Sequence, residues 1–163
     1  MPIFAQAERS GLQCTKEEAW ALIGNVGKWE EAGLAQKVVS EQTTRYTVTR
    51  KARTQTLEVI SRDDSTFALE YKVVSGLAFP LTSLQGKIRV YDGVTVEWDA
   101  EATAVFGAET AFKCQLGNAI RATLDDALCG FEVALRKCKS GVGGGGEGSG
   151  VMTKAAACAA TTS

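Results

Sequence analysis

The sequence predicts an α+β domain in which a curved antiparallel sheet of seven strands wraps around one long C-terminal helix, with two short helices after the first strand. Three observations predict it. Residues 109–139 carry apolar side chains at helical spacing. Residues 35–105 switch to strand-like segments separated by short polar or glycine-bearing turns, with little that could make a second long helix. A helix-opening signal stands at Thr15, directly after the first apolar segment.

Residues 3–14 mix apolar and polar side chains without helix punctuation and read as the first strand. Thr15-Lys16-Glu17-Glu18 then forms a capping box, the Thr15 hydroxyl facing the Glu18 backbone N–H and the Glu18 carboxylate reaching back. Ala19, Trp20, Leu22, Ile23 and Val26 make the apolar stripe of that helix, and Gly24 and Gly27 mark its fraying end. Residues 29–34 read as a second short helical turn.

The strands that follow are expected at 35–41, 45–51, 54–61, 66–75, 84–91 and 94–105, an order that argues for an antiparallel meander. Phe67, Leu69, Tyr71 and Val73 alternate with Ala68, Glu70, Lys72 and Val74, and Val94, Val96 and Trp98 alternate with Thr95, Glu97 and Asp99. One sheet face is therefore apolar and the other wet. The connection Gly76-Leu77-Ala78-Phe79-Pro80-Leu81 breaks the pattern by placing large apolar residues where a loop is normally polar.

On the last helix, Phe112, Leu116, Ile120, Leu124, Ala127, Leu128, Phe131, Leu135 and Cys138 fall on one half, opposite Asn118, Arg121, Asp125, Glu132 and Arg136. Gly117 and Gly130 interrupt it at about 1 kcal/mol each relative to alanine, which suggests a bend or a close approach beside simple tolerance. Such a stripe needs a cover, and the concave sheet face is the one available. After Ser140 the chain turns to a glycine run and an alanine-rich end, so residues 1–139 are expected to form one domain and 140–163 a disordered tail.

Composition excludes several function classes. The net charge is −1 with cations and anions interspersed, which leaves no basic surface for nucleic acid or an anionic membrane. Nothing approaches the length of an apolar membrane span, and the N-terminus lacks a secretory signal, so a cytoplasmic location is expected. The five cysteines show no CxxC pair, and their spacing fits reduced thiols better than a disulfide framework. The chain contains no histidine, which removes Ser-His-Asp and Cys-His nucleophile systems and the usual zinc enzyme sites. Neither metal nor cofactor is expected.

Several segments together carry a family resemblance. They are Glu18-Ala19-Trp20-Ala21-Leu22-Ile23 through Val26-Gly27-Lys28-Trp29; Leu57-Glu58-Val59-Ile60-Ser61-Arg62-Asp63; Leu69 to Gly76 running into Pro80-Leu81; and Gly93-Val94-Thr95-Val96-Glu97-Trp98. In order and spacing they resemble the START-like helix-grip (SRPBCC) superfamily, in its polyketide cyclase/dehydrase and lipid-transport branch. The resemblance implies a cavity between sheet and helix, with residues 77–81 as its gate. Two departures stand out: Leu57 occupies a position where many relatives carry an inward glutamate, and Lys37 matches by position the strand lysine that anchors a carboxylate in the abscisic-acid receptors of this superfamily, but its neighbours differ.

The function expected first is binding or transport of a small hydrophobic molecule such as a lipid, polyketide or terpenoid. The candidate lining is Lys37 on the second strand, Tyr46 and Val48, Leu57 and Val59, and Phe67, Leu69 and Tyr71 on the next three, and then Ile88 and Trp98. Phe112, Leu116, Ile120 and Leu124 would come from the helix, and Leu77, Phe79 and Leu81 from the gate. A second possibility is a cyclase, dehydratase or lyase using Tyr71, Tyr46 and Lys37 for proton transfer. A third is a regulatory protein presenting Phe79 and Pro80 to a partner when ligand is bound.

Overall fold

A computed structural model describes residues 2–51, 53–105 and 107–140, the side chains at 108–112 and 138–140 excepted. The strands are β1 (Ile3–Arg9), β2 (Lys37–Ser40), β3 (Arg45–Arg50), β4 (Arg53–Asp63), β5 (Ala68–Ser75), β6 (Leu81–Tyr91) and β7 (Thr95–Ala104). The helices are α1 (Lys16–Ile23) and α2 (Ala108–Ser140), with a 3-10 turn at Val26–Lys28. The tail expected after residue 140 lies outside the described residues.

All seven strands form one antiparallel sheet in the order β1-β7-β6-β5-β4-β3-β2. Strands β1 and β2 therefore sit at opposite edges, and α1 with the 3-10 turn spans between them. The meander from β2 to β7 then brings the chain back beside β1. Register shifts at Thr56/Leu57 and Val59/Ser61 in β4 and at Leu81/Ser83 in β6 bend the sheet, as an extra residue in one strand of a pair does.

The capping box forms as expected: Thr15 Oγ1 accepts from the Glu18 amide at 3.1 Å and Glu18 Oε1 accepts from the Thr15 amide at 2.8 Å. The indole N–H of Trp29 donates to the Ile23 carbonyl at 2.9 Å, satisfying one of the acceptors left open at the end of α1. The second helical turn comes earlier than expected, at Val26–Lys28, because Asn25 caps it by accepting from the Gly27 amide at 3.0 Å. Three strands, β2, β5 and β7, also start later than expected. Phe67 (φ 53°) and Val94 (φ 52°) are left-handed, which no strand residue can be, so β5 begins at Ala68 and β7 at Thr95.

Alternation delivers the inner face: Leu69, Tyr71, Val73, Val96 and Trp98 are buried, and Leu124, Ala127, Leu128, Phe131 and Leu135 of α2 cover them. On the opposite side of α2, Glu132 pairs with Arg136 at 3.5 Å and with Arg9 of β1 at 3.5 Å. Of the two α2 glycines, Gly130 meets a close approach: a Cβ on Gly33 (φ +78°) would lie 2.4 Å from the Gly130 carbonyl oxygen. Gly117 has ordinary room, its nearest neighbours Ile3 and Phe4 standing at 3.8 Å from a built Cβ. Cys14 and Cys114 are thiols, but Cys129 is disulfide-bonded, so the inference of wholly reduced cysteines fails there.

The β4–β5 turn is held by one carboxylate. Asp63 Oδ1 accepts from the Ser65 amide (2.9 Å), the Ser65 hydroxyl (2.6 Å) and the Thr66 amide (3.3 Å). These bonds lower its pKa from 3.8 to about 2. Because the folded value lies below the unfolded one, the ionised group stabilises the fold above pH 4, and the contribution disappears as pH falls towards 2. Asp63→Asn should therefore melt below the native protein at pH 5, with the two melting curves converging near pH 2. A constant offset across that range would contradict the assignment.

Candidate ligand cavity

The interior under the helix is divided. At the end beneath α1, Trp29, Trp98, Ile23, Ile88, Leu128 and Phe131 fill the space without exposure. Three rings form the centre of this packing: Trp29 and Trp98 lie 5.5 Å apart, and Tyr71 stands edge-on to both at 5.8 and 6.4 Å. Tyr71 fits because residue 86, opposite it on β6, is glycine; a Cβ there would come within 2.3 Å of the phenol ring. The Trp98 indole N–H donates to the Tyr71 hydroxyl at 3.0 Å.

Towards the other end a cavity of about 520 Å³ opens between the sheet and the first half of α2. Its walls are Val48 of β3, Gln55 of β4, Tyr71, Leu81 and Leu84 of β6, Ala100 of β7, and Leu116, Ala119, Ile120, Thr123 and Leu124 of α2. Ala78 and Phe79 of the β5–β6 loop complete it, and the Phe79 side chain is 86% exposed. The charged lining is Arg50, Lys51 and Arg53 from the β3–β4 hairpin, with Asp126 of α2, which pairs with Lys51 at 3.4 Å.

Arg50 lies at the boundary between packed core and cavity. Its Nε donates to the Leu34 carbonyl at 2.9 Å, and its guanidinium stacks over Trp98 (5.2 Å) and Trp29 (5.5 Å). Nη2 is buried and has no acceptor. Burial lowers the Arg50 pKa from its ordinary value, while Tyr71 and Asp126 oppose the shift. Burial likewise raises the Tyr71 pKa, with the Arg50 charge and the Trp98 N–H pulling it part-way back. The phenol is therefore a neutral group at pH 7, a hydrogen-bond donor and not a base.

Of the residues singled out from the sequence, Val48, Tyr71, Phe79, Leu81, Leu116, Ile120 and Leu124 meet at this cavity. Leu57, Leu69, Ile88 and Trp98 do not line it; they are packed core. Tyr46, Val59, Phe67 and Leu77 pack against that core from its margin. Phe67 stacks on Trp20 at 5.5 Å instead of facing the cavity, because its left-handed backbone turns it off the strand alternation. Tyr46 donates to the Thr43 carbonyl at 3.3 Å. Lys37 is exposed: its register partner is Thr49, so it points away from the buried Val48 beside it, and the pocket cation suggested by position is not there. Phe112 has its side chain outside the described residues.

Arg50, Lys51, Arg53, Gln55, Leu84, Thr123 and Asp126 were not anticipated. A signal for Arg50 was present, since it shares the parity of Tyr46 and Val48 on β3, but arginine at a strand end normally reaches solvent. A wider trough of about 690 Å³ crosses the outer sheet face between exposed Phe4 and Ile60, over Glu70, Asp99 and Glu101. There burial, followed by neighbouring Glu97, raises the Asp99 pKa. Among the described residues, no helix is long and apolar enough to cross a membrane, and no group of three or more His, Cys, Asp or Glu could hold a metal ion.

Neither a scan against protein-family models nor a search of curated protein sequences finds a match. Solved structures do match in shape. An uncharacterized protein from Bacillus thuringiensis aligns at a TM-score of 0.66 with 18% identity, covering 83% of this chain and 98% of its own. Norcoclaurine synthase from Thalictrum flavum, solved as a point mutant with a transition state analogue, aligns at 0.62 with 13% identity, covering 85% and 97%. Ginseng major latex-like protein 151 from Panax ginseng aligns at 0.58 with 14% identity, covering 80% and 96%.

The chain has the helix-grip fold. At these identities the likeness establishes architecture alone, and the helix-grip fold serves more than one kind of function: one of these neighbours is a synthase and another a latex-like protein.

Proposed function

We propose that this helix-grip domain binds a small hydrophobic molecule in the cavity beneath the first half of α2, as a member of the START-like superfamily. The observation that carries the proposal is the uneven burial of one helical stripe. Leu124 and Leu128 are buried against the sheet, whereas Leu116 and Ile120, on the same stripe, stay half-buried because they face open space. A volume of about 520 Å³ lies within the range of small-molecule sites, roughly 300–1,000 Å³. The exposed Phe79 at its margin supports a loop that ligand must pass.

Binding is favoured over catalysis because, of the three candidate proton-transfer residues, Tyr71 alone lines the cavity, and it is a buried, neutral phenol. The neutral fluorophore N-phenyl-1-naphthylamine should bind saturably, one per chain, and raise the melting temperature. At a hundredfold excess over its Kd the linkage amounts to about 2.7 kcal/mol. No saturable fluorescence and no thermal shift would overturn the proposal.

A further inference from the structure

The fate of each Arg50 nitrogen narrows the ligand class, an inference that rests on the cavity being a binding site. Nε is spent on the Leu34 carbonyl. Nη2 is buried without an acceptor. Nη1 has no partner either but is not sealed off, so it is the donor that Arg50, a lining residue, can offer to the cavity. The tryptophan faces and the Leu34 carbonyl explain how the group is oriented, but they leave Nη1 unsatisfied. Arg50 is half-buried and partly desolvated, and it makes no ion pair among the described residues, so its charge lacks a counter-charge in contact.

The surroundings have the same sign. Three cations, Arg50, Lys51 and Arg53, line this end of the cavity against a single carboxylate, Asp126, which Lys51 already engages at 3.4 Å. Beside them the Tyr71 hydroxyl accepts from Trp98, which leaves its own proton to donate. The opposite wall, Leu84, Leu116, Ile120 and Leu124, is apolar. We infer that the ligand is an amphipathic carboxylate, whose carboxylate accepts from Arg50 Nη1 and the Tyr71 hydroxyl while its apolar body lies along Leu84, Leu116 and Ile120. A hydrogen bond from a cationic guanidinium to a carboxylate is roughly twice as strong as one to a neutral hydroxyl, so the charged head group decides between ligands that share an apolar body.

Competition against N-phenyl-1-naphthylamine with two probes of matched chain, dodecanoate and dodecanol, both below the concentration of micelle formation, tests this. Native protein should bind dodecanoate roughly tenfold or more tightly than dodecanol, the range expected of a charge-assisted pair. Arg50→Met should bring the ratio of the two affinities close to one, and Arg50→Lys should restore part of the preference. Should Arg50→Met not fold, the probe ratio in the native protein and its reduction in Tyr71→Phe decide the matter. Equal affinities, or tighter binding of dodecanol, in the native protein would overturn the carboxylate subsite while leaving the cavity as a binding site. Failure of the naphthylamine itself to bind would remove both.

Discussion

Trp98→Ala is expected to lower the unfolding free energy by about 3–5 kcal/mol, the cost of deleting a large aromatic ring from a packed core. Trp98 is fully buried, packs against Trp29 at 5.5 Å and donates the hydrogen bond that the Tyr71 hydroxyl accepts at 3.0 Å. Its removal opens a void at the centre of the domain and takes one face from the Arg50 guanidinium, which stacks over it at 5.2 Å. Domains of this kind hold only about 5–15 kcal/mol in all, so the variant should unfold early in urea. Trp98→Phe should restore much of the packing but not the indole donor, and its midpoint should fall between the two. A loss below about 1 kcal/mol for the alanine variant would mean that the packed end of the interior has been misplaced.

The second large effect distinguishes cavity from core along one helix. Ile120→Trp should weaken binding of N-phenyl-1-naphthylamine by tenfold or more with little change in stability, since the added ring enters open space. Leu128→Trp, two turns on and with no exposure, should instead destabilise by about 1–3 kcal/mol through overpacking. Parallel denaturation and titration of the two variants checks both halves. If Ile120→Trp proved as destabilising as Leu128→Trp, the space beneath Ile120 would be filled in solution, and the proposed binding site with it.

Much of the frame was legible because it depends on local pattern. The capping box at Thr15 reads directly as a helix start, since both of its hydrogen bonds lie within four residues. Leu69, Tyr71 and Val73 on β5 and the α2 stripe gave the inner face, because period two and period 3.6 are backbone properties. The site was less legible. Leu57, Leu69, Ile88 and Trp98 share the cavity-facing parity yet are packed solid, because parity says which side a residue faces and not what stands opposite. The missing side chain at Gly86 admits the Tyr71 ring, a relation between strands that their separate sequences do not show.

By itself, then, the sequence determined the element order, the long amphipathic helix and the sheet face it covers, since these follow from periodicity, capping and turn chemistry. The tertiary structure alone decided where packing stops and the cavity starts. It also exchanged the expected cation for another. Lys37 turns outward because its pairing with Thr49 sets its parity, whereas Arg50 is drawn inward between Trp29, Trp98 and the Leu34 carbonyl. Those partners come from segments distant in the chain, and whether a charge is buried depends on everything packed around it.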